Sequence, residues 1–148
     1  MAYIGIDLGD RWSRYLMGPS GAQLHLTLAH FEKPSPAQAA ELALDLGKLA
    51  ETVPVQVLYL DSIETFSVGD VLIIKNTNDL HLLRSQVVGL LMKHRLQWSR
   101  DHEWRPHVTI GKANPDHAEL IAQRVFIECN QLELCGTPIF GRYTWSCG

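Results

Sequence analysis

Two histidine–threonine pairs are the residues of this chain best placed to do chemistry. One lies in "QLHLTLAHF", residues 23–31, and the other in "WRPHVTIGK", residues 104–112. Along a β-strand, residues two apart point to the same face. His25 and Thr27 therefore share one face, while Leu24, Leu26 and Leu28 share the other. His107 and Thr109 divide in the same way from Val108 and Ile110. Each strand is expected to anchor its apolar side in a core and to present its polar pair to a cleft. Two imidazoles and two hydroxyls in one cleft suit a phosphodiester. A neutral imidazole takes a proton from an attacking hydroxyl or water, and a protonated one supplies the leaving oxygen, both near neutral pH. The threonine hydroxyls can hold the non-bridging oxygens as charge moves onto them. No metal is needed for this scheme, and Asp7, Asp10 and Asp61 stand apart with no DxD or HxxxH cluster. A single His-x-Thr pair means little in a chain with seven histidines. Two pairs in matching strand patterns mean more.

The elements that must position these pairs repeat as well. "YIGIDLG", residues 3–9, alternates as a first strand ending in a turn at Gly9-Asp10. "GPSG", residues 18–21, predicts a turn before the strand of His25. Ser35-Pro36 then starts a helix over residues 36–51, with Ala39, Leu42, Leu46 and Leu49 on one face. Residues 53–61 and 70–75 predict strands by their β-branched content, and residues 78–98 a second long helix. After the strand of His107, Asn114-Pro115 starts another helix, and two strands over roughly 124–135 and 139–146 finish the chain. A His-x-Thr strand followed by an N-cap-proline helix start thus occurs twice, about half a chain apart. This implies two similar lobes in one α+β domain spanning residues 1–148.

Bulk properties narrow the class. The 148 residues are 46% hydrophobic and 20% charged, enough for one packed core. No apolar run is long enough to span a bilayer, and the N-terminus lacks the pattern of a signal peptide, so a cytoplasmic monomer is expected. Cys129, Cys135 and Cys147 are odd in number and form no CxxC pair, so free thiols are expected rather than a disulfide framework. A net charge of −3 argues against a partner as long and anionic as duplex nucleic acid. Short nucleotides fit better, and no cofactor is called for.

The two motifs "HLTL", residues 25–28, and "HVTI", residues 107–110, resemble the 2H phosphoesterase superfamily, which includes 2′-5′ RNA ligase-like proteins and cyclic nucleotide phosphodiesterases. "YIGIDLGDRWSRYL" resembles the family's opening strand, although Gly9 stands where proline is frequent, and "PHVTIGKA" resembles its second motif, proline included. The resemblance implies a bilobal α+β fold, two pseudo-symmetric lobes of antiparallel sheet with flanking helices around a central cleft. It carries over His25 and His107 as the acid–base pair, and Thr27 and Thr109 as phosphate binders. The compact chain is similar to small, often phage-encoded members, which keeps open an anti-defence enzyme degrading 3′,5′-cyclic oligonucleotide signals. The other expected substrates are a 2′,3′-cyclic phosphate and a 2′,5′-linked oligonucleotide. A nucleotide-binding protein without turnover is a further class.

Other residues receive weaker assignments. In similar folds the first and last strands flank the cleft, so Tyr3, Tyr143 and Trp145 are expected substrate contacts. Arg105 and Lys112 flank the second motif and could face the phosphate. His30 falls on the face opposite His25 by alternation, and His81, His94, His102 and His117 read as surface residues. "GIDLG", residues 5–9, also resembles the first strand of actin-like ATPases and RNase H-like nucleases, in which the aspartate binds a metal. That reading predicts a metal-dependent enzyme of a different class.

Overall fold

Apolar alternation in the two motif strands buries Leu26, Leu28 and Val108 completely, and the rest of the chain is arranged around them. The computed structural model describes residues 1–17, 23–100, 103–138 and 141–148. Along the chain these form β1 (Ala2–Asp7), α1 (Asp10–Met17), β2 (His25–Phe31), α2 (Pro36–Thr52), β3 (Gln56–Phe66) and β4 (Gly69–Ile74). There follow α3 (Asn78–Lys93), β5 (His107–Gly111), α4 (Pro115–Ala122), β6 (Phe126–Cys129), β7 (Gln131–Cys135) and β8 (Arg142–Ser146). The turn expected at residues 18–21 lies outside the described residues.

The strands form one sheet in the order β6-β3-β4-β5-β2-β1-β7-β8, with every pairing antiparallel. The order reads alike outward from its middle. Each motif strand, β5 or β2, lies beside the strand that precedes it in sequence, β4 or β1, and two further strands complete each half. The halves meet where Leu26 of β2 pairs with Val108 of β5.

Each motif strand also leads into a helix closed by a capping box. Ser35 and Gln38 exchange bonds at the start of α2, and Asn114 and His117 do so at the start of α4. Apolar residues at helical spacing, Leu42, Leu46 and Ala50 on α2 and Leu80, Leu83, Val87 and Leu91 on α3, join the core with Ile4, Ile6, Leu132 and Leu134. Each fully buried aliphatic side chain contributes about 1.5–3 kcal/mol.

Several elements differ from the sequence expectation. Residues 10–17, which the sequence expectation left without an element of their own after the turn at Gly9-Asp10, form the helix α1. The helix α3 stops at Lys93, because Arg95 takes a positive φ of 58° and Leu96 turns back into the core at 2% exposure. The single strand expected over 124–135 is two strands on opposite halves, β6 against β3 and β7 against β1, with the crossing at Asn130. His117 is buried rather than on the surface, its Nδ1 accepting from the Asn114 N–H and its Nε2–H donating to the Leu16 carbonyl at 2.8 Å. His94 is also largely covered and bonds Asp45 at 2.7 Å. His102 lies outside the described residues.

Candidate active site

The pairing of Leu26 with Val108 fixes the geometry of the two motifs. These are the residues between histidine and threonine in each motif. In an antiparallel pair, flanking residues face one another in reverse order, so His25 lies opposite Thr109 and Thr27 lies opposite His107. All four sit on the face away from the core. His25, Thr27 and His107 are half-buried and Thr109 is exposed.

His25 is held by a network from three other strands, β1, β7 and β8. The Tyr3 ring stacks on its imidazole, centroids 4.5 Å apart and planes 18° from parallel. The Tyr3 hydroxyl donates to Glu133 Oε1 at 3.2 Å, which leaves its oxygen to accept from His25 Nδ1–H at 3.4 Å. Glu133 itself approaches Nδ1 to 3.8 Å and is 2% exposed. Behind it, Arg142 donates through Nε to Glu133 at 2.9 Å and through Nη2 to Asp7 at 2.8 Å. Asp7 is also buried and accepts from the Gly9 N–H. The carboxylate of "GIDLG", which the metal-enzyme reading assigns to a cation, is thus occupied by a guanidinium. Burial lowers the pKa of His25, with Glu133 and Asp7 opposing that effect and Arg142 and His107 reinforcing it. Burial, with the Cys135 thiol and the Glu133 carboxylate, keeps the Tyr3 hydroxyl protonated well beyond its ordinary range.

His107 is held more simply. Its Nδ1–H donates to the Arg105 carbonyl at 2.7 Å, and its ring meets that of Phe66 in a T-shaped contact, centroids 5.0 Å apart and planes 70° from parallel. Both histidines therefore turn Nδ1 toward the protein, which leaves Nε2 of each for a bound molecule.

Beside the motifs lies a cavity of about 490 Å³ lined by Thr27, His30, Phe66, Arg84, Trp104 and His107, among others. The placement of His30 corrects the sequence reading. Ile4 pairs with Ala29 but Gly5 with Thr27, so Leu28 is an extra residue in a β-bulge. The slip reverses the alternation and returns His30 to the face of His25, with the Tyr3 ring 6.0 Å away. Burial and the charges of His25 and His107 lower its pKa. Gly5 is required here, since a Cβ would lie 2.7 Å from the Leu26 carbonyl oxygen.

The remaining expected contacts separate. Tyr3 is in the site, against His25. Arg105 lines the cavity, with its guanidinium held by Glu64. Lys112 is exposed beyond the end of β5 and does not line the cavity. Tyr143 and Trp145 pair with Leu134 and Leu132, which point to the core face, so they lie on the side away from His25. Trp145 packs on α2, where a Cβ at Gly47 would meet its Nε1 at 3.1 Å. Alternation instead turns Arg142 of the same strand to the site. Sequence reading missed Glu133, Arg142, Arg84 and the role of Trp104, whose indole N–H donates to the Thr27 carbonyl at 3.2 Å.

Comparison with known proteins agrees with this architecture. The model of the 2′-5′ RNA ligase superfamily matches residues 12–135. A phosphoesterase crystal structure is 16% identical and aligns over 98% of this chain and 97% of its own, with a TM-score of 0.64. E. coli LigT complexed with 3′-AMP is 16% identical over 99% of this chain and 94% of its own, with a TM-score of 0.59. The NADP+ complex of E. coli LigT is 17% identical, covering 99% and 96%, with a TM-score of 0.60. At these identities the likeness is one of fold. A search of curated proteins gives no match.

Proposed function

The chain belongs to the 2′-5′ RNA ligase superfamily, and on that premise we propose that it cleaves a phosphodiester in a small nucleotide by metal-independent acid–base catalysis between His25 and His107. The observation that carries this reading is the pairing of Leu26 with Val108, which sets one histidine and one threonine on each side of a local twofold.

In the proposed reaction, Nε2 of one neutral histidine takes the proton of the attacking water or ribose hydroxyl. As the new P–O bond forms, Nε2–H of the other passes its proton to the leaving oxygen, and that P–O bond breaks. The protons are exchanged between the imidazoles and the substrate, so the pair ends in the reverse protonation state. Thr27 and Thr109 donate to the two non-bridging oxygens. The substrate is a 2′,3′-cyclic phosphate, a 2′,5′-linked oligonucleotide or a cyclic oligonucleotide. That E. coli LigT has been crystallised with 3′-AMP and with NADP+ supports a ligand of this size. Binding without turnover would need neither two imidazoles nor their common Nδ1 anchoring.

The deciding experiment is a cleavage panel of these three substrate types in excess EDTA, with the His25→Ala/His107→Ala double variant as the blank. Chelator-resistant cleavage that the variant lacks is the expected result. Cleavage only after Mg²⁺ or Mn²⁺ is added would move the chemistry to Asp7 and overturn the reading.

A further inference from the structure

The cavity beside the motifs contains a cation that the proposed reaction does not use. Arg84 lies on α3 at the border of the buried stripe, four residues after Leu80 and three before Val87. Its guanidinium stands 5.1 Å from the centroid of the Trp104 ring, and its Nε is buried without a hydrogen-bond partner. Among the described residues no carboxylate pairs with it, and burial alone lowers its pKa. The other cation lining this cavity, Arg105, is held by Glu64. Trp104 is in turn fixed to the backbone of Thr27, so the guanidinium is positioned relative to the motif strand.

We propose that Arg84 binds a second phosphate of the substrate, so that the preferred substrate carries one phosphate between His25 and His107 and another in this cavity. The inference rests on the catalytic reading above and narrows its substrate class. A half-buried guanidinium with an unsatisfied N–H is stabilised most by an anion that offers two oxygens in its plane. A nucleobase edge offers neutral acceptors and leaves the charge uncompensated. The cavity, about 490 Å³, is within the range that holds a small ligand, and its aromatic walls at Phe66 and Trp104 suit the nucleoside between the two phosphates. A nucleoside 2′,3′-cyclic phosphate with a 5′-phosphate, or the end of an oligonucleotide, meets this requirement. A cyclic mononucleotide with one phosphate does not.

The test uses two stable probes, adenosine 3′,5′-bisphosphate and 3′-AMP, titrated calorimetrically into the wild type, Arg84→Gln and Arg84→Lys. The wild type is expected to bind the bisphosphate about tenfold or more tightly than 3′-AMP, as for a charge-assisted pair. Arg84→Gln should lose that preference, the ratio of the two affinities falling toward one, and Arg84→Lys should keep part of it. Equal affinities in the wild type, or an undiminished preference in Arg84→Gln, would overturn the proposal. If Arg84→Gln does not fold, the wild-type ratio and Arg84→Lys still decide. These titrations need no turnover, so a chain that prefers the bisphosphate through Arg84 but cleaves nothing would retain this site and lose the catalytic reading.

Discussion

Tyr3 lies flat against the imidazole of His25, ring centroids 4.5 Å apart, while donating its own proton to Glu133. The ring fixes the plane of the histidine and the hydroxyl ties it to a buried carboxylate. Glu133 favours the charged imidazole, against the larger effect of burial. Glu133→Gln keeps the shape and removes that charge, so the midpoint of His25 is expected to move further down. Titration of the imidazole protons by NMR checks this, and an unmoved midpoint would show that Glu133 exerts no field on His25.

The catalytic assignment predicts graded losses. His25→Ala and His107→Ala should each reduce kcat by about 10²–10⁴-fold with unchanged folding. Thr27→Val, which removes a single donor, should cost about 10–10²-fold, the scale of one hydrogen bond to charge. Activity against pH should be bell-shaped, since the histidines work in opposite protonation states. Wild-type rates in either alanine variant would remove that histidine from the reaction.

Arg142 joins Asp7 and Glu133, whose side chains are 6% and 2% exposed. Removing it leaves two buried carboxylates unpaired, a change that costs roughly 3–5 kcal/mol in a dry interior. Because Arg142 is itself 41% exposed, water screens part of the loss, and about 1–3 kcal/mol is expected for Arg142→Ala. Urea unfolding measures it, with Arg142→Lys expected to recover part. A loss below 0.5 kcal/mol (roughly the surface-pair range) would mean that the carboxylates find solvent.

Stability should also depend on pH through the two histidines on the site face of β2. The pKa values of His25 and His30 are both lowered from 6.5 in the folded chain. Above that value both states are neutral and the contribution is complete. Below it the unfolded chain takes up protons first, so stability is lost as pH falls through the depressed native values. The urea midpoint is expected to drop between about pH 7.5 and 5.5, and to drop less in His30→Asn. An equal drop in that variant would exclude His30 as a contributor.

The parts of the site set by local alternation were readable from the residues themselves. His25 and Thr27, and likewise His107 and Thr109, reach one face because the leucines, Val108 and Ile110 require the other. The capping residues Ser35 and Asn114 marked both helix starts for a similarly local reason. What was not readable depends on a change of phase or on distant register. Leu28-Ala29, two apolar residues in succession opposite Gly5, is the trace of the bulge that moves His30, but it reads equally as a continuous strand. The change of burial parity from Ile127 and Cys129 to Leu132 and Leu134 marks the crossing at Asn130 in the same faint way. Arg142 meets Asp7 only because β1 and β8 both flank β7, an arrangement that no spacing within a strand encodes.

The local twofold through Leu26 and Val108 has a consequence for ligand orientation. In the proposed reaction, a phosphodiester and its reversed copy are nearly degenerate to the two imidazoles and two hydroxyls alone, so the motifs by themselves would not choose which oxygen leaves. The choice falls to what differs between the halves: Tyr3 and Glu133 behind one histidine, Phe66 and the Arg105 carbonyl behind the other. On that proposal polarity belongs to the surroundings, and exchanging them is expected to swap which histidine acts as base while leaving all four motif side chains in place.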